Sequence, residues 1–463
     1  MHVFRIVSGQ PPVLMVWVWA ICGCATEGPS APPSATQPAP QSFVEVPNPR
    51  SSDNPRFALE PLPAPAPGAS IRDPRFGTAQ RRVVQAERLR HEYSRHDPFN
   101  RDQSLILLQY LPDGEWRIYS TAAVPYDQSG SLLRTVDLAE PRWDPDSAEL
   151  LWGFREFKIV RINVRTGTAT VVKDFSTDPA IRPLLTSNPD LYRITMKDEG
   201  EPSADFRHWA FLLQGTQDDY RMRAVATWDR QADRVEGVYP LPAAKSRIDW
   251  VGMSPRGQWV LIGADFDNGG PLAGLTLADR ALKTFHPLDA DTAHADVGLD
   301  SGDREVIVMQ SNRSDSIDMI PISPDSRPVS GPDSDVAGSG RVRLIRLFYD
   351  SESALGLNSG VHISCNAPGY CVVSTFTEPG RREQNWLDRT ILLVRLDPRQ
   401  PRAIYLSKVH GTAGAYWEET QASISRDARR VVWATNWGRA VGEERVWMMD
   451  MRIPPQWLSM LER

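Results

Sequence analysis

The chain has 463 residues, 41% of them hydrophobic and 24% charged, with a formal net charge of −6. That length and apolar content support a large core, and the negative balance argues against the basic face that nucleic acid demands. Only six of its 52 basic residues are lysine. Genomic base composition accounts for such a bias, although arginine also suits bidentate recognition of carboxylate or phosphate.

Residues 1–23 read as a signal peptide. One basic residue, Arg5, precedes the apolar run Val13-LMVWVWAICG, which is too short to span a bilayer as a stable helix. The run ends in Ile21, Cys22, Gly23 and Cys24, which resembles a bacterial lipobox, although Cys22 replaces the usual small residue. The resemblance implies a lipidated mature N-terminus at Cys24, and Ala25 after it resembles the pattern for outer-membrane sorting. The expected location is the cell envelope, lipid-anchored at the periplasmic face of the outer membrane or at the cell surface. Residues 24–70, rich in Pro, Ala and Ser, lack the apolar content to fold and are expected to form a disordered tether. Residues 71–92 are a lead-in, in which Ala79-QRRVVQAERLRHEY reads equally as a short helix or a closing outer strand.

From residue 93 to 455 one pattern returns seven times: Phe99-NRDQSLILLQ, Trp143-DPDSAELLWG, Pro202-SADFRHWAFLLQ, Val251-GMSPRGQWVLIGA, Val297-GLDSGDREVIVMQ, Ile363-SCNAPGYCVVSTF and Ala422-SISRDARRVVWATN. Each is strand, tight turn, strand, because Ser, Asn, Asp, Pro and Gly make the turn and β-branched or aromatic residues flank it. Further strands follow most copies, as in Ile159-VRINVRTGTATVV. Such a unit cannot bury both faces alone, so the copies must pack side by side. The predicted fold is all-β: a seven-bladed β-propeller of four-stranded antiparallel blades, with residues 456–463 as a C-terminal tail. Most of the 15 tryptophans are expected to fill gaps between blades. Cys365 and Cys371 flank one turn, where a cross-strand disulfide is expected in an oxidising compartment.

Aligning the repeats on the turn residue singles out the position four before it: His96, Glu140, Glu199, Trp250, Asp296, His362 and Gln421, with Glu201 an alternative to Glu199 in the third repeat. This column lies where the chain enters each innermost strand, at the mouth of the central funnel. Polar groups there either line a solvent-filled tunnel or satisfy loop backbone groups. His410, in the connection between blades 6 and 7, is placed near the same edge. His294, two residues before Asp296, shares its side of the strand. Imidazoles with an amide oxygen suit a divalent metal such as Mn²⁺ or Zn²⁺.

The Val251-GMSPRGQWVLIGA type of hairpin resembles the repeats of Tol-associated periplasmic propellers. Tyr93-SRHDPFNRDQSLILL, Gly360-VHISCN and Glu418-ETQASISRDARRVVWATNWG resemble a broad family of bacterial propellers related to oligogalacturonate lyases. That family implies a divalent metal held by histidines and a glutamine. By motif position His362 and Gln421 fall among its ligands, with His96 and His410 added on geometric grounds. Many relatives carry His where this chain has Gln421. If the chain is an eliminase, His294 or His410 would take the proton α to a uronate carboxylate, and an arginine such as Arg382 or Arg95 would neutralise that carboxylate.

Three functions remain. The first is an exported propeller whose funnel binds a polar ligand, an acidic saccharide or a peptide, without chemistry. The second is a metal-dependent uronate eliminase, and the third is an envelope scaffold. A monomer is expected. No GxSxG, P-loop, GxGxxG after a strand, or HExxH is present, which disfavours hydrolase, NTPase and nicotinamide chemistry. A Cys24→Ser variant is expected to leave the membrane fraction on fractionation; if it remains there, the lipid anchor is wrong.

Overall fold

The turn residue of each repeat is Ser, Asn or Asp, and in most repeats its side chain closes the turn; Asn366 instead reaches the Ile424 carbonyl of the seventh repeat. Asn100, Ser203 and Ser425 accept the backbone N–H of Leu105, His208 and Arg430 on their side-chain oxygens, while Asp300 accepts those of Gly302 and Arg304. The backbone N–H of the same residues crosses the turn to the carbonyls of Leu105, His208, Arg430 and Arg304. A short polar side chain therefore satisfies backbone groups that a two-stranded turn would leave open. Asp144 and Ser254 make the same cross-turn backbone bond. This places Ser203 in the third turn and Glu199, four residues earlier, in the column.

The computed structural model describes residues 42–463 except 243–246, 266–267, 269, 291, 330–339, 349–358 and 382–384. Its strands form seven antiparallel sheets. Blade 1 runs from Leu89–Arg90 to Leu132–Val136, blade 2 from Ala139–Trp143 to Ala169–Asp174, and blade 3 from Leu191–Thr195 to Arg234–Pro240. Blade 4 runs from Ile248–Met253 to Phe285–Asp289, blade 5 from Ala295–Leu299 to Val342–Arg346, and blade 6 from Ser359–Ala367 to Arg402–Lys408. Blade 7 starts at Ser423–Ile424.

Apolar layers between neighbouring blades make the ring. Leu107, Ile118, Leu151 and Val160 join blades 1 and 2; Trp152, Phe154, Trp209 and Phe211 join 2 and 3. Leu212, Val225, Val251 and Ile262 join 3 and 4, and Leu261, Leu277, Ile307 and Met309 join 4 and 5. Val308, Ile317, Ile363 and Leu392 join 5 and 6. A last cluster holds Val372 and Leu393 of blade 6, Val432 and Trp433 of blade 7, and Ile106 and Leu108 of blade 1. That cluster closes the circle. Trp143, Trp152, Trp209, Trp228, Trp250, Trp386, Trp433, Trp447 and Trp457 are all fully buried, so tryptophan does fill the gaps. Cys365 and Cys371 are joined by a disulfide across the blade 6 hairpin.

Three expected boundaries move outward. Blade 7 contributes only Ser423–Ile424, Arg430–Thr435 and Trp447–Arg452; its fourth strand is Ala79–Arg82, from the lead-in, with Ser70–Arg72 outside it. The segment whose pattern allowed helix or strand is thus the closing strand, because its partner edge at Met449–Met451 would otherwise be unpaired. The stretch expected to be a disordered tether is part of the ring from residue 42 on. Val44–Glu45 adds a fifth strand to blade 6, Val46 is buried, and Asn54 bonds the Asn48 and Ser51 carbonyls. Its few apolar residues suffice because the ring supplies the other half of the contact. The C-terminal tail is a helix, Pro455–Leu461, whose Trp457 meets Phe43 edge-on at 5.9 Å. Cys24 lies outside the described residues.

Val46, Phe76, Val83 and Val84 are all buried, so removing them loses roughly 6–12 kcal/mol of transfer free energy. A chain begun at residue 85 is therefore expected to lose the cooperative thermal transition of a chain begun at residue 42, followed by circular dichroism. Equal midpoints would contradict closure by the N-terminal strand.

Candidate functional site

The polar column is almost wholly inside the protein. His96, Glu140, Trp250, Asp296, His362 and Gln421 are buried, and Glu199 is partly so. Each reaches beyond its own blade. Glu140 accepts bonds from the Thr195 hydroxyl and, at 2.8 Å, the Met196 N–H of blade 3. Asp296 accepts the Cys365 N–H of blade 6 at 2.5 Å. The Gln421 side-chain oxygen accepts Arg90 Nη2 at 2.5 Å, and its carbonyl bonds His91 Nε2 at 2.5 Å, both at the start of blade 1. Glu140 and Gln421 have φ of 51° and 42°, a left-handed geometry that turns these side chains off the strand's regular alternation. Of the two expectations for the column, satisfaction of backbone groups holds for Glu140 and Asp296, whereas the Gln421 side chain serves the Arg90 guanidinium.

Arginines fill what would be the open axis. Arg95 lies 4.3 Å over the Trp250 ring and pairs with Glu199 at 2.8 Å. Arg142 donates to Glu92 at 2.6 Å, to His96 Nε2 at 2.7 Å and to the Asp198 carbonyl at 2.9 Å. His96 Nε2 lies 2.7 Å from both Arg142 Nη2 and the Asp198 carbonyl oxygen, and Nδ1 lies 3.0 Å from Glu201. Beside this group a cavity of about 20 Å³, lined by Glu92, His96, Asp97, Arg142, Glu201 and Arg426 among others, has room for about one water.

One cluster of the column stays open to chemistry. His362 Nε2 lies 2.6 Å from Glu419 Oε2, and its ring is 4.4 Å from that of His294. His294 Nδ1 is 2.8 Å from the Tyr93 hydroxyl, and Phe376 stacks on His362 at 5.5 Å. His362 Nδ1 has no hydrogen-bond partner. Glu419 and His294 are partly exposed, and Tyr416, 49% exposed, stands against Trp417 at the same rim.

Burial governs the electrostatics. It lowers His96 to about 4, helped by Arg142, and His362 to about 3, helped by Arg90 and Arg95. His294 falls to about 3 from burial and the neighbouring His362. All three imidazoles are neutral at pH 7. Burial pushes the Glu92 carboxyl up to about 8 against the pull of Arg142, Glu140 up to about 7, and Glu199 and Glu419 upward. Burial also brings Arg90 down to about 10.

The structure brings together His294 and His362 of the expected site, and separates the rest. His96 belongs to the Arg142 and Glu201 group. His410 is not at the mouth: it stacks on Trp437 at 4.4 Å, near Asp73, Arg389 and Lys408, because its connection runs outward toward the closing N-terminal strands. Arg95 is engaged with Glu199, and Arg382 lies outside the described residues. Tyr93, Glu419, Arg90 and Arg142 were not anticipated. Glu419 was within reach of the alignment, since it stands two residues before Gln421 as His294 stands two before Asp296.

No protein-family model matches the chain, and no curated protein matches it in sequence. Solved structures do match its fold. The oligogalacturonate lyase of Vibrio parahaemolyticus superposes with a TM-score of 0.54 at 9% identity, over 84% of this chain and 97% of that one. An oligogalacturonate lyase in complex with manganese gives 0.54 at 11% identity, over 85% and 98%. TolB from Acinetobacter baumannii gives 0.31 at 14% identity, over 64% and 60%. At these identities the likeness to the lyases is one of fold.

The residues expected to hold a divalent ion do not fit one. The Gln421 oxygen is taken by the Arg90 guanidinium, which adds a positive charge where a ligand atom was expected. Both His96 nitrogens are engaged, and His410 is elsewhere. Among the described residues, three donor atoms within 4.8 Å of one another occur only at His208, Asp229 and Glu236.

The depressed histidines set an acid limit on stability. Unfolded histidine titrates near about 6.5, while the buried forms hold out to about 4 and about 3. Between those values each of these rings binds more protons in the unfolded chain, so its contribution to stability is full above about pH 6.5 and is lost as the pH falls toward about 3. Each histidine adds a slope of up to about 1.4 kcal/mol per pH unit in its window. The raised carboxyls of Glu92 and Glu140 act in the opposite sense over the same range, so the denaturant midpoint of the parent chain relative to His362→Gln is the quantity that should drop from about pH 7 to about pH 5; a pH-independent difference would contradict the burial of this ring.

Proposed function

We propose that the chain is an exported ring, anchored in the cell envelope through Cys24, that binds a saccharide at its mouth without transforming it. The observation that carries this reading is the rim itself. An exposed aromatic, Tyr416 against Trp417, stands beside the half-buried carboxylates Glu199 and Glu419 and the neutral pair His294 and His362. Aromatic faces stack on the apolar side of a sugar ring, and carboxylates and imidazoles accept or donate to its hydroxyls.

Charge at the rim selects within that class. Asp198 and Asp249 are exposed there with Lys197 beside them as a half-exposed cation, whereas Arg90 and Arg95 are buried and bonded to the protein. A ligand with hydroxyl or amino groups is favoured over a uronate. The same point weighs against elimination, since abstracting a proton α to a carboxylate requires a cation to neutralise it. The eliminase reading rests on fold likeness alone.

The test is calorimetric titration of the mature chain with neutral, amino and uronate oligosaccharides. Binding of a neutral or amino sugar is expected, weakened about tenfold or more, some 1.4 kcal/mol, in Tyr416→Ala. Unsaturated, ultraviolet-absorbing products from oligogalacturonate would overturn the reading, as would failure of every sugar to bind.

A further inference from the structure

Among the described residues, one close set of metal-type donors lies on the opposite face of the ring. Blade 3 presents His208 at the start of strand His208–Gly215, Asp229 at the end of Met222–Asp229, and Glu236 in Arg234–Pro240. The register puts His208 opposite Asp229, and Asp229 opposite Arg234. Between Trp228, paired with Val235, and Thr227, paired with Gly237, the strand carries one extra residue, Glu236. Such a bulge re-aims its side chain. Here it carries the carboxylate to the imidazole, with Glu236 Oε2 3.4 Å from His208 Nδ1.

These two atoms are buried, and among the described residues neither makes an aligned hydrogen bond, although Arg280 Nε stands 2.9 Å from Glu236 Oε2. His208 is 5% exposed. A buried imidazole nitrogen without a hydrogen bond is costly unless something joins it to its neighbour. Their separation matches the roughly 3.4 Å edge of a tetrahedron with metal–ligand bonds of about 2.0–2.1 Å, as zinc makes with nitrogen and oxygen. Asp229 supplies the third donor atom, within 4.8 Å of the other two. Gly257, at the blade 4 turn, packs against the ring so closely that a Cβ there would come 2.6 Å from His208 Cδ2. The imidazole is therefore fixed in place from the neighbouring blade.

Cations already stand nearby. Arg207 pairs with Asp229 at 2.9 Å, Arg280 lies 2.9 Å from Glu236 without hydrogen-bond alignment, and Arg234 lies 3.5 Å from it. All three side chains reach solvent; a cation must displace the two bonds from Arg207 to Asp229 and the Arg280 contact, while Arg280 keeps its bond to the Gly257 carbonyl.

We infer that His208, Asp229 and Glu236 form a binding site for a zinc-like divalent cation, with a fourth position left to water, on the face of the ring away from the mouth. The bound ion ties three strands of blade 3 together beside the seam with blade 4. Nothing in this site touches the proposed saccharide rim.

Equilibrium dialysis of the mature chain against Zn²⁺ tests the assignment. One equivalent is expected to bind, with affinity at least about tenfold weaker in His208→Asn and in Glu236→Gln. His362→Ala should leave it unchanged, and Arg280→Ala should tighten it severalfold by removing the competing guanidinium. Circular dichroism without metal checks that the variants fold; Glu236→Gln keeps the shape of the side chain if His208→Asn does not. Absence of stoichiometric binding, binding indifferent to Glu236→Gln, or binding lost in His362→Ala would each overturn it.

Discussion

Burial of ionisable side chains at the ring axis is the constraint on which the rest depends. Seven blades meeting at a centre leave a channel, and this chain fills it with charge instead of leaving it to water. Arg95 over Trp250 and against Glu199, Arg142 between Glu92, His96 and Asp198, and Arg90 against Gln421 each join groups distant in sequence. Removing water from such pairs costs nearly as much as their attraction returns, so they specify geometry more than they add stability. The stability resides in the apolar layers between blades and in the N-terminal strand that closes blade 7.

That plug decides what the mouth can do. With the arginines engaged below, the groups that reach solvent include Tyr416, part of His294, several carboxylates and Lys197. The histidines, deprived of water, are neutral bonding partners instead of cations. A surface of this kind takes hydrogen bonds and stacking contacts, and its carboxylates outnumber Lys197, the cation among the described residues beside them. The arginine excess noticed in the composition thus finds part of its use inside the ring, in planar multi-acceptor bonds that lysine does not make.

How much of this was legible in the sequence depends on range. The seven turns were readable because Ser, Asn and Asp act locally, on N–H groups a few residues away. Register followed, and with it the column and the pairing of Cys365 with Cys371. The segment at Ala79–Arg82 was ambiguous because its strand partner lies more than 350 residues away, at Met449–Met451. Residues 42–70 read as tether because composition counts apolar residues and cannot see the surface that receives them. His410 was misplaced for a related reason: the repeat ruler fixes inner strands and says nothing about connections. Glu419 and Arg142 were missed because their roles arise from neighbours in other blades.

The account stands or falls on whether the axis is dry and charged as described. Long-range nitrogen–proton NMR spectra of the histidine rings near pH 5.5 examine this most directly, because they report protonation and tautomer residue by residue. The structure predicts neutral His96, His294 and His362 at that pH. Imidazolium signals from these three rings at that pH would contradict it.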